Sequence, residues 1–94
     1  MQNTTHEECF SDSGTVGTSP AALSTADYPV YDGVFVRADD GNAGTVKVGS
    51  VADIAAGRGY PLAAGESVKI KIDTISKLHV IGSEAAQAYT WLSV

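Results

Sequence analysis

Cysteine is almost missing: Cys9 stands alone among 94 residues, so no disulfide can close within one chain. Histidine is scarce as well, with only His6 and His79, too few for a metal centre built from several histidines on adjacent strands. Basic residues are absent from the first third. Residues 1–32 carry Glu7, Glu8, Asp12, Asp27 and Asp32 and no Lys or Arg. The rest holds all six basic residues, balanced by its own acidic ones, so the net charge of −5 resides in an acidic segment joined to a neutral module. Nucleic-acid binding normally needs a basic footprint, and none is expected here. No apolar run approaches the roughly 20 residues that span a bilayer. Residues 1–10 are polar and acidic, with neither a basic n-region nor an apolar h-region. The expectation is a soluble protein, made in a reducing cytoplasm, with no membrane partner.

What is present suits one small domain. A chain of 94 residues buries only about two thirds of its unfolded surface, so its margin is thin and oligomerisation would help it. Residues 1–27 are rich in Thr, Ser, Gly, Ala and acid, with Phe10, Val16 and Leu23 nearly the only large apolar side chains. Such a segment cannot offset its ordering entropy by itself. It reads as an extended or flexible acidic arm. Residues 15–18 suit a short edge strand, and Ser19-Pro20 suits the start of a helical turn.

From residue 28 onward the pattern is strand-like. Val34, Val36 and Ala38 alternate with Phe35 and Arg37, and Val46 and Val48 flank Lys47. The turn-rich residues 39–44 between these runs predict a β-hairpin. Ser50, Val51, Ile54, Ala55 and Gly57 fit a capped helical turn, with a loop as the alternative. Residues 59–72 form a corner with Pro61 and Gly65, then a strand whose Val68, Ile70 and Ile72 point one way and Lys69 and Lys71 the other. This stretch reads as the centre of the module. Residues 77–82 and 88–94 add two more strands, the last carrying Trp91. The fold class expected is all-β: a small antiparallel β-sandwich or jelly-roll-like barrel over residues 28–94, with an extended N-terminal arm over 1–27.

Catalytic machinery is not evident. His6, Glu7, Glu8 and Cys9 are metal-ligating types, but consecutive residues in an arm rarely converge on one ion. Asp39, Asp40 and Asn42 with Gly41 and Gly44 lack the distal Glu of a calcium loop and read as a turn. His79 has no nucleophile motif to serve. No catalytic residue, cofactor or metal is expected. Tyr60, Tyr89 and Trp91 have the side chains to stack on a sugar, although a core or subunit contact is the commoner use of Trp91.

Several segments carry a resemblance: Val34-Phe35-Val36-Arg37-Ala38, Thr45-Val46-Lys47-Val48-Gly49, Gly59-Tyr60-Pro61-Leu62, Gly65-Glu66-Ser67-Val68, Leu78-His79-Val80-Ile81-Gly82 and Tyr89-Thr90-Trp91-Leu92. Over about two thirds of the chain they resemble small structural proteins of tailed bacteriophages, of the capsid decoration or cement type. The resemblance implies a β-sandwich without catalysis on the outside of the capsid. Its partners would be the major capsid protein and further copies of itself, as a homotrimer. Phe10, Val16, Leu23, Tyr28, Tyr60 and Trp91 are the residues expected to face partners. A carbohydrate-binding module, or a structural part of a tail, fibre or head–tail connector, is the alternative.

Overall fold

The computed structural model describes residues 10–24, 28 and 30–94. They form two antiparallel sheets packed face to face, an all-β sandwich as the alternation requires. The strands are β1 (Ser11–Val16), β2 (Ala21–Ala22), β3 (Val34–Ala38), β4 (Val46–Ser50), β5 (Tyr60–Leu62), β6 (Ser67–Ile70), β7 (Leu78–Gly82) and β8 (Gln87–Ser93). The first sheet runs β1-β8-β3-β6 and the second β2-β7-β4-β5. Period-two alternation fills the space between them. Val34, Val36 and Ala38 are buried while Phe35 and Arg37 face out. Tyr89 and Trp91 of β8 point inward opposite Val48, Leu62, Leu78 and Val80 of the second sheet, within one continuous core. The helical turn is also as expected. It is α1 (Val51–Ala55), and the Ser50 hydroxyl accepts from the Asp53 backbone N–H at 3.3 Å.

The expected hairpin does not form. β3 pairs with β6 and β8, whereas β4 pairs with β5 and β7, so the two strands lie in different sheets. Residues 39–45 are a crossover between layers. The Asn42 side chain holds it by donating to the Ala88 carbonyl and accepting from the Ala88 N–H, both at 2.8 Å. Thr45 is held from the other sheet, its N–H donating to Ser83 Oγ at 2.9 Å. Alternation reports which face of a strand is buried, not which strand lies beside it.

Residues 59–72 also change sheets. β5 closes one edge of the second sheet and β6 closes one edge of the first, so the stretch is lateral rather than central. Its corner is built as the glycine suggested. Gly65 has φ +81°, and a Cβ there would stand 2.7 Å from Asp40 Oδ1. Glu66 completes the corner by accepting the Ala63 N–H at 2.8 Å.

The division into an arm and a separate sandwich is not what the described residues show. β1 is a full member of the first sheet, in register with β8 from Ser11 opposite Leu92 to Val16 opposite Gln87. Residues 21–22, where a helical turn was expected, pair instead with β7. Val16 and Leu23 are core residues, and the Leu23 N–H donates to the Leu78 carbonyl at 3.0 Å. The physical reason is economy of apolar area. An edge strand needs one apolar face at most, and its backbone bonds to β8 satisfy the rest. Residues 1–9, 25–27 and 29, and with them His6, Glu7, Glu8, Cys9 and Asp27, lie outside the described residues.

Tyr89 ties this N-terminal part to the core. Its hydroxyl donates to the Leu23 carbonyl at 3.0 Å. Gly14 leaves room for the ring, since a Cβ there would sit 2.7 Å from the hydroxyl oxygen. Burial, aided by the negative charge of Asp12, raises the Tyr89 phenol above its ordinary value.

Two outcomes follow for stability. Leu23→Ala should cost about 2–5 kcal/mol, read as a lower midpoint in urea unfolding. An arm detached from the sandwich would give no change. For Tyr89, the raised folded-state pKa means that its contribution is complete below the ordinary tyrosine value of 10.0 and is lost as pH rises from there through the folded value. The melting temperature of the parent should therefore fall more steeply above about pH 10 than that of Tyr89→Phe.

Candidate functional site at the open flank

The two sheets do not meet at both flanks. On one side β1 and β2 begin the sheets; on the other, β6 and β5 end them. Both closing strands are short, four and three residues, and they leave an apolar groove of about 570 Å³. Val48 and Leu78 form its floor, and Val68, Ile70 and Ile72 form the wall contributed by β6 and its continuation. The inward alternation of residues 68–72 is thus real, but an edge position leaves those side chains half-buried. At the rim Tyr60 is 59% exposed and Val51 50% exposed. A contiguous apolar hollow with exposed aliphatic and aromatic rims is a surface that a neighbour would cover.

Charge surrounds this hollow rather than entering it. Lys69 Nζ lies 2.6 Å from one carboxylate oxygen of Asp32, and Lys71 Nζ 3.8 Å from the other. Lys69 also stands 5.6 Å above the Phe35 ring on the outer face of the sheet. Lys77, at the end of the groove, is 2.9 Å from Asp73 and holds that carboxyl below its ordinary value. The ammonium is hydrogen-bonded to Asp73 as well as close in charge.

The residues expected to face partners divide sharply. Val16, Leu23 and Trp91 are 3%, 2% and 2% exposed within their own chain, so they build the core and offer nothing to a partner. Phe10 and Tyr28 are half-buried. Their rings stack at 4.7 Å, and Tyr28 lies 5.6 Å from the Trp91 ring, sealing one end of the core. Only Tyr60 of the six is open, and it belongs to the groove. The aromatic platform of Tyr60, Tyr89 and Trp91 is not assembled, because Tyr89 and Trp91 are buried between the sheets whereas Tyr60 of β5, paired with Val48, stands exposed at the groove rim.

The remaining polar candidates have structural tasks. Asp39 accepts the Gly41 N–H at 2.9 Å and Asp40 receives Arg37 at 2.7 Å, both within the crossover. His79 is half-buried in β7, opposite Ala22 and Gly49, and its Nδ1 has no hydrogen-bond partner among the described residues. The groove itself escaped sequence reasoning. Val68, Ile70 and Ile72 are recognisable as an apolar face, but nothing local to them says that β6 has a neighbour on one side only.

No protein-family model matches this chain, and no curated protein matches it in sequence. The groove therefore has to be read from its own geometry. It has the chemistry of an interaction surface: apolar, open along a sheet edge, and rimmed by paired charges.

Because Val51 is half exposed, Val51→Ser should change stability by no more than about 0.5 kcal/mol. It should also reduce the fluorescence gain of an apolar dye added to the folded protein. An unchanged dye signal would mean that the groove is not the accessible apolar surface.

Proposed function

We propose that this chain is a structural protein of a tailed-bacteriophage virion: a decoration (cement) protein that binds the outside of the major capsid shell as a homo-oligomer and stabilises it without catalysis. The observation that carries the reading is the open apolar flank. A small sandwich that leaves Val51, Tyr60 and the β6 wall uncovered gains most by being packed against neighbours. The strand and turn segments that resemble small phage virion proteins give the role its context. The glycan-binding alternative loses support, since two of its three platform residues, Tyr89 and Trp91, lie in the core. A place in the tail or connector shares the same surface argument and differs in copy number.

The test is stoichiometry. Particles purified from the source culture should contain the protein at hundreds of copies each, as a shell component repeated over many capsomers requires. Roughly six to a few dozen copies would assign it to the tail or connector instead. Its absence from particles would remove the virion reading altogether.

A further inference from the structure

The four sheet edges differ in what they offer a neighbour. In the second sheet, β2 has two residues and β5 has three, with Pro61 unable to donate a hydrogen bond. In the first sheet, β1 turns Asp12 and Gly14 to the inward side, opposite Trp91 and Tyr89, an acid and a glycine rather than an apolar wall. β6 differs from all three. It holds Val68 and Ile70 on its inward side, directly along the groove.

The ladder also fixes which β6 backbone groups are free. A strand between two antiparallel neighbours gives alternate residues to each. Gly33 and Val94 exchange both backbone bonds, at 2.9 and 3.3 Å, and the Asp39 N–H donates to the Ala88 carbonyl at 3.0 Å. The odd-numbered residues from 33 to 39 therefore face β8. The even-numbered ones face β6, as Ala38 does in donating to the Glu66 carbonyl at 2.9 Å. Val34 and Val36 follow, so their partners Ile70 and Val68 bond to β3. The N–H and C=O groups of Ser67 and Lys69 point the other way, out from the sheet edge. Among the described residues no strand lies on that side.

We propose that β6 accepts an extended peptide segment of a partner protein as a fifth strand of the first sheet, a segment that alternates apolar residues with Asp or Glu. Such a segment meets three features at once. Its backbone pairs with the outward-pointing groups of Ser67 and Lys69. Its inward residues, beside Val68 and Ile70, enter the groove over Val48 and Leu78, where apolar side chains leave water. Its outward residues lie on the face that carries Lys69, which pairs with Phe35 across the ladder. Lys71 reaches the same Asp32 carboxylate as Lys69, which puts both ammonium groups on that face. Two lysines share one acid there, so an acid on the added strand has a lysine to meet. The chain's own residues 1–9, polar apart from Met1 and Cys9, lack the required alternation, and its alternating runs are already strands of the sandwich. The inference takes the groove as the contact surface, as the virion reading does, and rests on the backbone ladder. Its test needs no particle, so its failure leaves the copy-number test intact.

Synthetic peptides test it on the purified chain. The probe is a capped peptide of about seven residues that alternates valine and glutamate. In the free protein the Ser67 and Lys69 amides should exchange rapidly with solvent, as read by NMR, and saturating peptide should slow both at least about tenfold. Two control peptides should bind at least about tenfold more weakly: one that alternates valine and lysine, and a valine–glutamate peptide methylated on its backbone nitrogens. Lys71 is 79% exposed at its side chain, so Lys71→Glu should fold, which circular dichroism checks. That variant should bind the valine–glutamate peptide at least about threefold more weakly. Slow exchange at Ser67 and Lys69 in the free protein would mean that the edge is already covered, and would overturn the proposal. So would no binding at about millimolar peptide, binding that leaves both amides fast, either control peptide binding as well as the probe, or Lys71→Glu binding like the parent.

Discussion

Each sheet of this protein can bury only one face, and that constraint shapes everything else. Two four-stranded sheets share one core, so the chain must keep moving between them. β1 lies in the first sheet and β2 in the second, β3 returns to the first, and β4 and β5 lie in the second. β6, β7 and β8 then alternate again. Among the described strands that follow one another in sequence, only β4 and β5 are hydrogen-bonded to each other. Nearly every ladder therefore joins distant parts of the chain, as when β1 closes on β8. A structure of this kind gains little until its ends meet, because loop closure precedes the contacts that offset it.

The N-terminal residues show how that constraint recruits an apparently featureless segment. Taken alone, residues 10–24 hold too little apolar area to order themselves. Laid beside β8 they need very little. Val16 and Leu23 fill the core, Gly14 makes room for the Tyr89 ring, and the Tyr89 hydroxyl satisfies the Leu23 carbonyl. Ser93 and Phe10 complete the seam, with the Ser93 N–H donating to the Phe10 carbonyl at 2.8 Å. The Val94 carbonyl accepts in turn from the N–H groups of Tyr31, Asp32 and Gly33, which sets the start of β3 beside the end of β8.

This explains which features were legible in the sequence. Alternation within a strand is local, so the buried faces of β3 and β4 and the capped turn α1 could be read directly. Pairing is not local. The loop at residues 39–45 has the glycines and acids of a hairpin, yet Asn42 turns its amide toward Ala88, and that partner lies 46 residues away. The groove was hidden for the same reason. Val68 and Ile70 carry the same alternation as Val34 and Val36, and differ only in lacking a strand on one side. Val16 and Leu23 were misassigned because an isolated apolar side chain in a polar segment looks exposed until its neighbour in space is known.

The same constraint bears on the open flank. Among the described residues the chain alternates sheets so thoroughly that the residues that end one sheet are at once the residues that enter the other. β5 and β6 are separated by only the corner at residues 63–66, so neither can extend over the opening between them. Gly65 and Glu66 hold that corner tight. A neighbour packed on that opening would remove its apolar surface from water.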